Sequence, residues 1–351
     1  MKLKEKKTWI AISIISIFVI IAATIGSNHF NAKYDNLNDV EKRILSEIDQ
    51  YSKENSKAKI WKGFELDNSP ILAMDGSFGK GFLINPINDV SGIFAKKIEM
   101  PENSSIEVYR ISSLAPQLFQ FRFDGNFNTT GKIYKLFDNE VFYTKYDDFN
   151  SISKEFTSSH YITFLSHEAF HYYMQESWAG GSRFSTESLT QKDMDLLKVE
   201  YEVLGKIQDE LIEQGEVKDR LLQYAKEYVE IVNKRVSQNP EYVEEELSME
   251  TAEGTATYIG IKASQIVGYD YGVMYFDNAK NVSLSEVMPN VEEGALDKSF
   301  LADRMPYETG ALLCLLMDAI DVPNWQESLN NQTQNNPVTL YSILREFCEE
   351  N

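Results

Sequence analysis

The segment His167-Glu168-Ala169-Phe170-His171 constrains this chain more than any other. Its flanks, residues 161–166 and 172–174, are rich in aromatic and aliphatic side chains, so the stretch reads as a helix that can be buried. Four residues separate the two histidines, a little over one helical turn. Both imidazoles therefore leave one face, close enough to share a tetrahedral ion, with Glu168 beside them. Only four histidines occur in the chain, His29, His160, His167 and His171, and none follows His171. His160 precedes His167 by two turns, about 10 Å, too far to ligate the same ion, and is expected in a wall or core. A third protein ligand must then be a carboxylate or a cysteine. Cys314 and Cys348 have no ligand-spaced partners.

The pattern does not extend to the HExxHxxGxxH of metzincins, because Met174 and Ser177 stand at the glycine and third-histidine positions. Further along, Glu253-Gly254-Thr255-Ala256-Thr257-Tyr258 resembles the EGxAxY string of gluzincins, zinc peptidases whose third ligand is a glutamate on a second helix. The resemblance implies Glu253 as that ligand. Glu250, one turn earlier on nearly the same face, is either an alternative ligand or an acceptor for a ligand histidine. Pro306-Tyr307-Glu308-Thr309-Gly310-Ala311-Leu312 resembles the YEKGAL-type segment of the aminopeptidase branch. That likeness implies Tyr307 as the hydroxyl that stabilises an oxyanion.

Taken together, the resemblance implies an α+β fold. It would be a thermolysin-like zincin with a mostly antiparallel β-sheet lobe, an HExxH helix and a helical C-terminal lobe. The implied activity is zinc-dependent hydrolysis of a peptide or protein, with Zn2+ on His167, His171 and Glu253, Glu168 as general base and Tyr307 as oxyanion donor. The interval from His171 to Glu253 is longer than in the aminopeptidases, and residues 100–158 hold no counterpart of their amine-binding GAMEN segment. The alternative from another class is a non-catalytic, membrane-anchored binding protein that retains the zincin-like fold.

Within that long interval, residues 190–239 read as an inserted helical hairpin. Met194, Leu197, Val203, Leu204, Ile207 and Leu211 form one stripe; Leu221, Leu222, Ala225, Tyr228, Val229 and Val232 form the other. Residues 214–216 supply the turn, and Asn239-Pro240 ends the pair. Ahead of residue 159, stretches 60–66, 106–111, 118–123, 132–137 and 141–146 alternate apolar and polar residues between turn formers. They are expected as strands of a substrate-side lobe spanning 60–158, with the strand from Val141 at an edge where an extended peptide pairs. Residues 159–351 form the zinc-binding helical lobe.

Lys2, Lys4, Lys6 and Lys7 precede a nearly unbroken apolar run over residues 9–26. Eighteen helical residues rise about 27 Å, enough to span a bilayer core. The expected layout is a cytoplasmic tail over 1–7 and a signal anchor, or a cleaved signal peptide, over 8–26. A polar stalk and a helix with a stripe at Val40, Ile44, Leu45, Ile48 and Tyr51 occupy 27–59. The lysines place the body outside the cell membrane. A net charge of −20 argues against nucleic acid as a partner. The two cysteines allow a disulfide without requiring one.

Overall fold

A computed structural model of the chain describes residues 2–77, 79–147, 151, 159–213, 217–276 and 278–351. The class is α+β, and two compact units divide it. The first comprises Met1–Ala58 and Glu65–Ile152; the second comprises Lys59–Phe64 and Ser153–Asn351.

In the first unit α1 (Lys2–Phe30) is a single helix whose stretch Trp9–Phe30 is long and apolar enough to cross a membrane; its apolar residues lie exposed, and Asn28 near its end is buried. Its end is tied down rather than leading into a free stalk. Asn28 Nδ2 donates to Arg110 O at 3.3 Å, and Glu99 N donates to Ala32 O at 3.2 Å. Helix α2 (Asp39–Asn55) starts from a capping box in which Asn38 and Glu41 satisfy each other's backbone N–H groups. It buries Ile44, Leu45, Ile48 and Tyr51, four of the five stripe residues.

The sheet contains β1 (Ile71–Asp75), β2 (Gly81–Ile84), β3 (Ala95–Lys97), β4 (Val108–Ile111) and, after helix α3 (Phe119–Phe123) and the hairpin β5 (Lys135–Leu136) to β6 (Asn139–Glu140), strand β7 (Phe142–Tyr146). Its order is β3-β4-β2-β1-β7, antiparallel except for the β1–β7 pair. The apolar core on this sheet includes Leu72, Leu83, Ile111, Phe121 and Tyr143.

Three expectations here are corrected. Residues 118–123 are helical, because Leu118 and Phe121, three apart, are the buried pair while Phe119 and Phe123 face solvent. The 132–137 stretch is extended only at its end, where positive φ at Phe137 and Asp138 makes the tight hairpin turn. Strand β7 does lie at an edge, yet its outer side is already bonded. Lys145 N donates to Asn126 O, and Tyr143 N to Asn128 Oδ1, both at 2.7 Å. Residues 126–128 thus occupy the place where a substrate strand was expected.

The second unit is built from α4 (Tyr161–Met174), α5 (Gln191–Ile212), α6 (Lys218–Gln238), α7 (Pro240–Ile266), α8 (Val287–Glu292), α9 (Phe300–Asp303), α10 (Met305–Ala319), α11 (Trp325–Asn330) and α12 (Leu340–Glu350). The turn read at residues 214–216 lies outside the described residues. Helices α5 and α6 pack against each other and against α7 and α10. Stripe residues Leu197, Leu204, Ile207, Leu221, Ala225, Tyr228 and Val232 are buried there. Cys314, buried, and Cys348 are both free.

Of the stretch 60–66, expected as a strand, residues 60–64 instead act as an aromatic plug in the helical unit. Trp61 meets Phe170 at 4.9 Å and Trp325 at 5.2 Å, ring centre to ring centre, and Phe64 meets Phe170 at 5.5 Å. The indole N–H of Trp61 donates to Asn330 Oδ1 at 2.8 Å, and Gly63 takes a φ of 89° that a strand forbids. This plug packs under Phe170, on α4.

Candidate metal centre

Helix α7 positions the site by crossing α4 and α10 at small residues. A Cβ on Gly254 would stand 2.4 Å from Gly310 Cα, and one on Gly310 would stand 2.2 Å from Glu250 O. Only glycine at both places lets α7 and α10 approach so closely. Against α4, Gly260 faces Thr163, and the Thr163 and Ser264 hydroxyls are 2.5 Å apart. These crossings bring Glu253 over the histidine face of α4.

Within the triad the nitrogens His167 Nε2 and His171 Nε2 are 3.1 Å apart, and Glu253 Oε2 lies 3.1 Å from His171 Nε2 and 3.3 Å from His167 Nε2. Two bonds of 2.0–2.1 Å at a tetrahedral angle put ligand atoms about 3.3 Å apart. The observed triangle has that size. Among the described residues this is the one group of His, Cys, Asp or Glu side chains that could hold a metal ion.

Gln175 decides the tautomer of His171. Its Nε2 donates to Ala252 O and Thr255 Oγ1, each at 2.8 Å, which turns Oε1 toward His171 Nδ1 at 2.6 Å. The Nδ1–H therefore donates to Gln175, and a neutral His171 aims the lone pair of Nε2 at Glu253. Nε2 and the carboxylate oxygen, 3.1 Å apart, are bridged by a proton when His171 is charged, and a metal ion in its place fits the donor set. Burial pushes the Glu253 carboxyl up, but hydrogen bonds and charge from His167 and His171 outweigh it and hold the carboxyl well below the usual range. Burial likewise opposes charge on His171, and Glu253 overcomes it, raising the imidazole.

Glu168 follows His167 on the same helix and is partly open; burial raises its carboxyl, with the neighbouring histidines opposing. Tyr307, in the first turn of α10, stacks its ring nearly parallel to His167, centres 6.0 Å apart and planes 8° from parallel. Burial and the Glu253 charge raise its phenol, against Arg183, so the hydroxyl stays protonated as a donor. The five residues expected at the site are thus brought together, with Tyr307 set on His167.

Neither open role for Glu250 is realised. It is buried, 3.5 Å from the Tyr228 hydroxyl and beside Thr309, while Gln175 is the acceptor for His171. The sequence reading missed Gln175, whose signal was its position four residues after His171 on the same face. Replacing Gln175 with Ala is expected to weaken zinc binding by about 10–100-fold, the usual cost of removing a partner that orients a ligand histidine. Competition with a chromophoric chelator measures this; an unchanged affinity would contradict the role.

Nearby residues of the two motifs are structural. Tyr258 donates to Asp318 at 2.6 Å and packs on Trp325, and Glu308 accepts from Met274 N at 2.5 Å and pairs with Arg304. His160 is buried, its ring stacked on Tyr269.

Behind the site, Arg235 donates to Glu200 at 2.7 Å and to Glu246 at 2.5 Å, all three buried. Among the described residues Glu250 has no such cation in contact, and burial pushes its carboxyl up to about 8. Below the unfolded value near 4.3, both states hold the proton and this group does not oppose folding. As pH rises toward 8 the unfolded chain releases the proton and the folded chain keeps it, so stability falls, by on the order of 4 kcal/mol. Glu250→Gln is expected to remove that part of the slope and to exceed the wild type in stability at pH 8. Urea unfolding at pH 5, 6.5 and 8 checks it; parallel pH profiles would contradict it.

No known family model, curated protein or solved structure matches this chain. A functional reading therefore rests on the geometry of the site.

Proposed function

We propose that this chain is a zinc-dependent peptidase of gluzincin type with a thermolysin-like arrangement, anchored by α1 with its body outside the cell. The observation that carries the reading is the triangle of His167 Nε2, His171 Nε2 and Glu253 Oε2 with sides of 3.1–3.3 Å. The tautomer that Gln175 sets on His171 gives further support. Zinc held by these three residues would supply Lewis acidity and bring the pKa of a water down to about 7.

The chain's own residues account for the remaining chemistry. Glu168 accepts a proton as the water oxygen forms its bond to the scissile carbonyl carbon. Tyr307 donates its O–H toward the oxygen that gains negative charge, and its stacking on His167 fixes that donor in place. Glu168 then passes the proton to the nitrogen as the C–N bond breaks. A base and an oxyanion donor beside the three ligands favour turnover over mere binding. For the anchor, support comes from the four lysines ahead of an unburied apolar helix.

The test is digestion of a mixed peptide library by the full chain in nanodiscs, read by mass spectrometry. New peptide termini that vanish with chelator and return with zinc are expected. No cleavage by a zinc-loaded, folded chain would overturn the reading in favour of a binding protein.

A further inference from the structure

The apolar helix α1 ends on a polar face. Thr24, Ser27, Asn28 and Asn31 recur at helical spacing along one side of its end. With Lys80, Arg110 and Ser113 they line a cavity of about 500 Å3 in the first unit. Among the described residues no aspartate or glutamate lines it, although the chain carries 54 acidic residues against 34 basic ones. The carboxylates that pair its cations stand outside the lining: Glu41, buried, lies 2.9 Å from Lys80 and 3.2 Å from Arg110, and Asp75 lies 3.8 Å from Lys80. Donors complete the set. Ser27 Oγ accepts from Asn31 Nδ2 at 3.2 Å, and among the described residues the Ser27 and Ser113 hydroxyls donate to no acceptor. Cations and hydroxyl donors without a carboxylate suit an oxyanion.

The depth of the cavity along α1 identifies the oxyanion's source. From Trp9 the helix rises about 22 Å to Thr24 and about 33 Å to Asn31, while the hydrocarbon core of a bilayer is about 30 Å thick. With Trp9 at the inner boundary, the cavity straddles the outer one, where lipid phosphates lie. Exposed apolar side chains ring the same level. Phe30 ends α1, and His29 Nε2, 3.1 Å from Ile93 O, holds the exposed Ile93 beside it. On the other side Arg122 donates to Ser113 O and covers the ring of Phe119 at 4.7 Å, with Phe119 and Phe123 both exposed. Such side chains are shielded from water where the protein meets a membrane surface. A free phosphate offers the same oxygens but accounts for neither the depth nor the apolar rim.

We infer that this cavity holds the phosphate of an anionic glycerophospholipid of the outer leaflet, with acyl chains along the apolar side of α1. Lys80 has three N–H donors, so it bonds the phosphate while keeping Glu41. The Ser27 and Ser113 hydroxyls donate to the phosphate, and Arg110 adds its charge from behind. No lining carboxylate receives the ammonium of a zwitterionic headgroup. The inference rests on the reading of α1 as a membrane anchor.

The full chain is reconstituted into vesicles of equal phosphatidylglycerol and phosphatidylcholine, washed with alkaline carbonate, and taken into detergent for native mass spectrometry. The expected result is a chain that stays in the membrane and retains one phosphatidylglycerol, about tenfold in preference to phosphatidylcholine. Lys80→Gln is expected to abolish the preference, and Ser27→Ala/Ser113→Ala, which leaves the Glu41 ion pairs intact, to reduce it several-fold. Lys234→Gln removes the same charge from an exposed position in the other unit and is expected to change nothing. Release by carbonate would overturn the anchor reading and this inference with it. A chain that stays in the membrane without the preference, or one weakened equally by Lys234→Gln, would overturn this inference alone. Calorimetry of inorganic phosphate with the chain in phosphatidylcholine nanodiscs is expected to show no saturable binding; tight binding lost in Lys80→Gln would assign the cavity to a soluble phosphate and overturn the lipid assignment.

Discussion

Glu168→Gln is expected to keep its zinc and to lose about 10²–10⁴-fold in kcat, the usual worth of a positioned proton-transfer group. The substitution preserves shape and leaves the triangle of His167, His171 and Glu253 untouched. What it removes is the oxygen able to accept a proton. Metal content and cleavage rate must be measured on the same preparation, because the base and the first ligand are adjacent in sequence. Zinc retained with turnover lost is the expected pair of results. A variant that cleaves at the wild-type rate would show that another group acts as base.

Gly310→Ala should be the most damaging single-methyl change in the helical unit. The added Cβ would meet Glu250 O at 2.2 Å and Gly254 Cα at 2.7 Å, both backbone atoms that no rotamer change can move aside. Helices α7 and α10 would have to separate, at a cost of about 3 kcal/mol or more, equivalent to about 4 °C or more in Tm for a chain of 351 residues. Glu253 adjoins Gly254, and Tyr307 lies one turn before Gly310, so the separation also displaces the proposed metal ligand and the proposed oxyanion donor. Thermal unfolding with and without zinc is the measurement. A wild-type Tm would mean that the two helices are not in backbone contact.

Those two glycines show what could be read in the sequence and what could not. Each motif exposed its chemical residues through spacing: His167 and His171 at four, Glu253 and Tyr307 through strings that resemble those of known zinc peptidases. The glycines of the same strings carried no visible reason until the helices were seen to touch at Gly254 and Gly310. The hairpin over 190–239 was legible because its stripes repeat at the helical period over some twenty residues per helix. Strands β1 and β2 were not, since Ile71-Leu72-Ala73-Met74 and Gly81-Phe82-Leu83-Ile84 are buried throughout and do not alternate. Alternation misled at 60–66, where Trp61 and Phe64 bury their rings among helices. Glu250 could not be told from Glu253 by periodicity; only the three-dimensional crossing assigns one to the histidines and the other to Tyr228 and Thr309.

The most direct test of the central claim is zinc content, by plasma mass spectrometry, of the full chain purified without chelator, compared with Glu253→Ala. About one zinc per wild-type chain, lost from a Glu253→Ala protein that remains folded, is the predicted result. A folded wild-type chain that takes up no zinc from micromolar solution, or a Glu253→Ala chain that holds it as tightly, would contradict the assignment of His167, His171 and Glu253 as a metal centre.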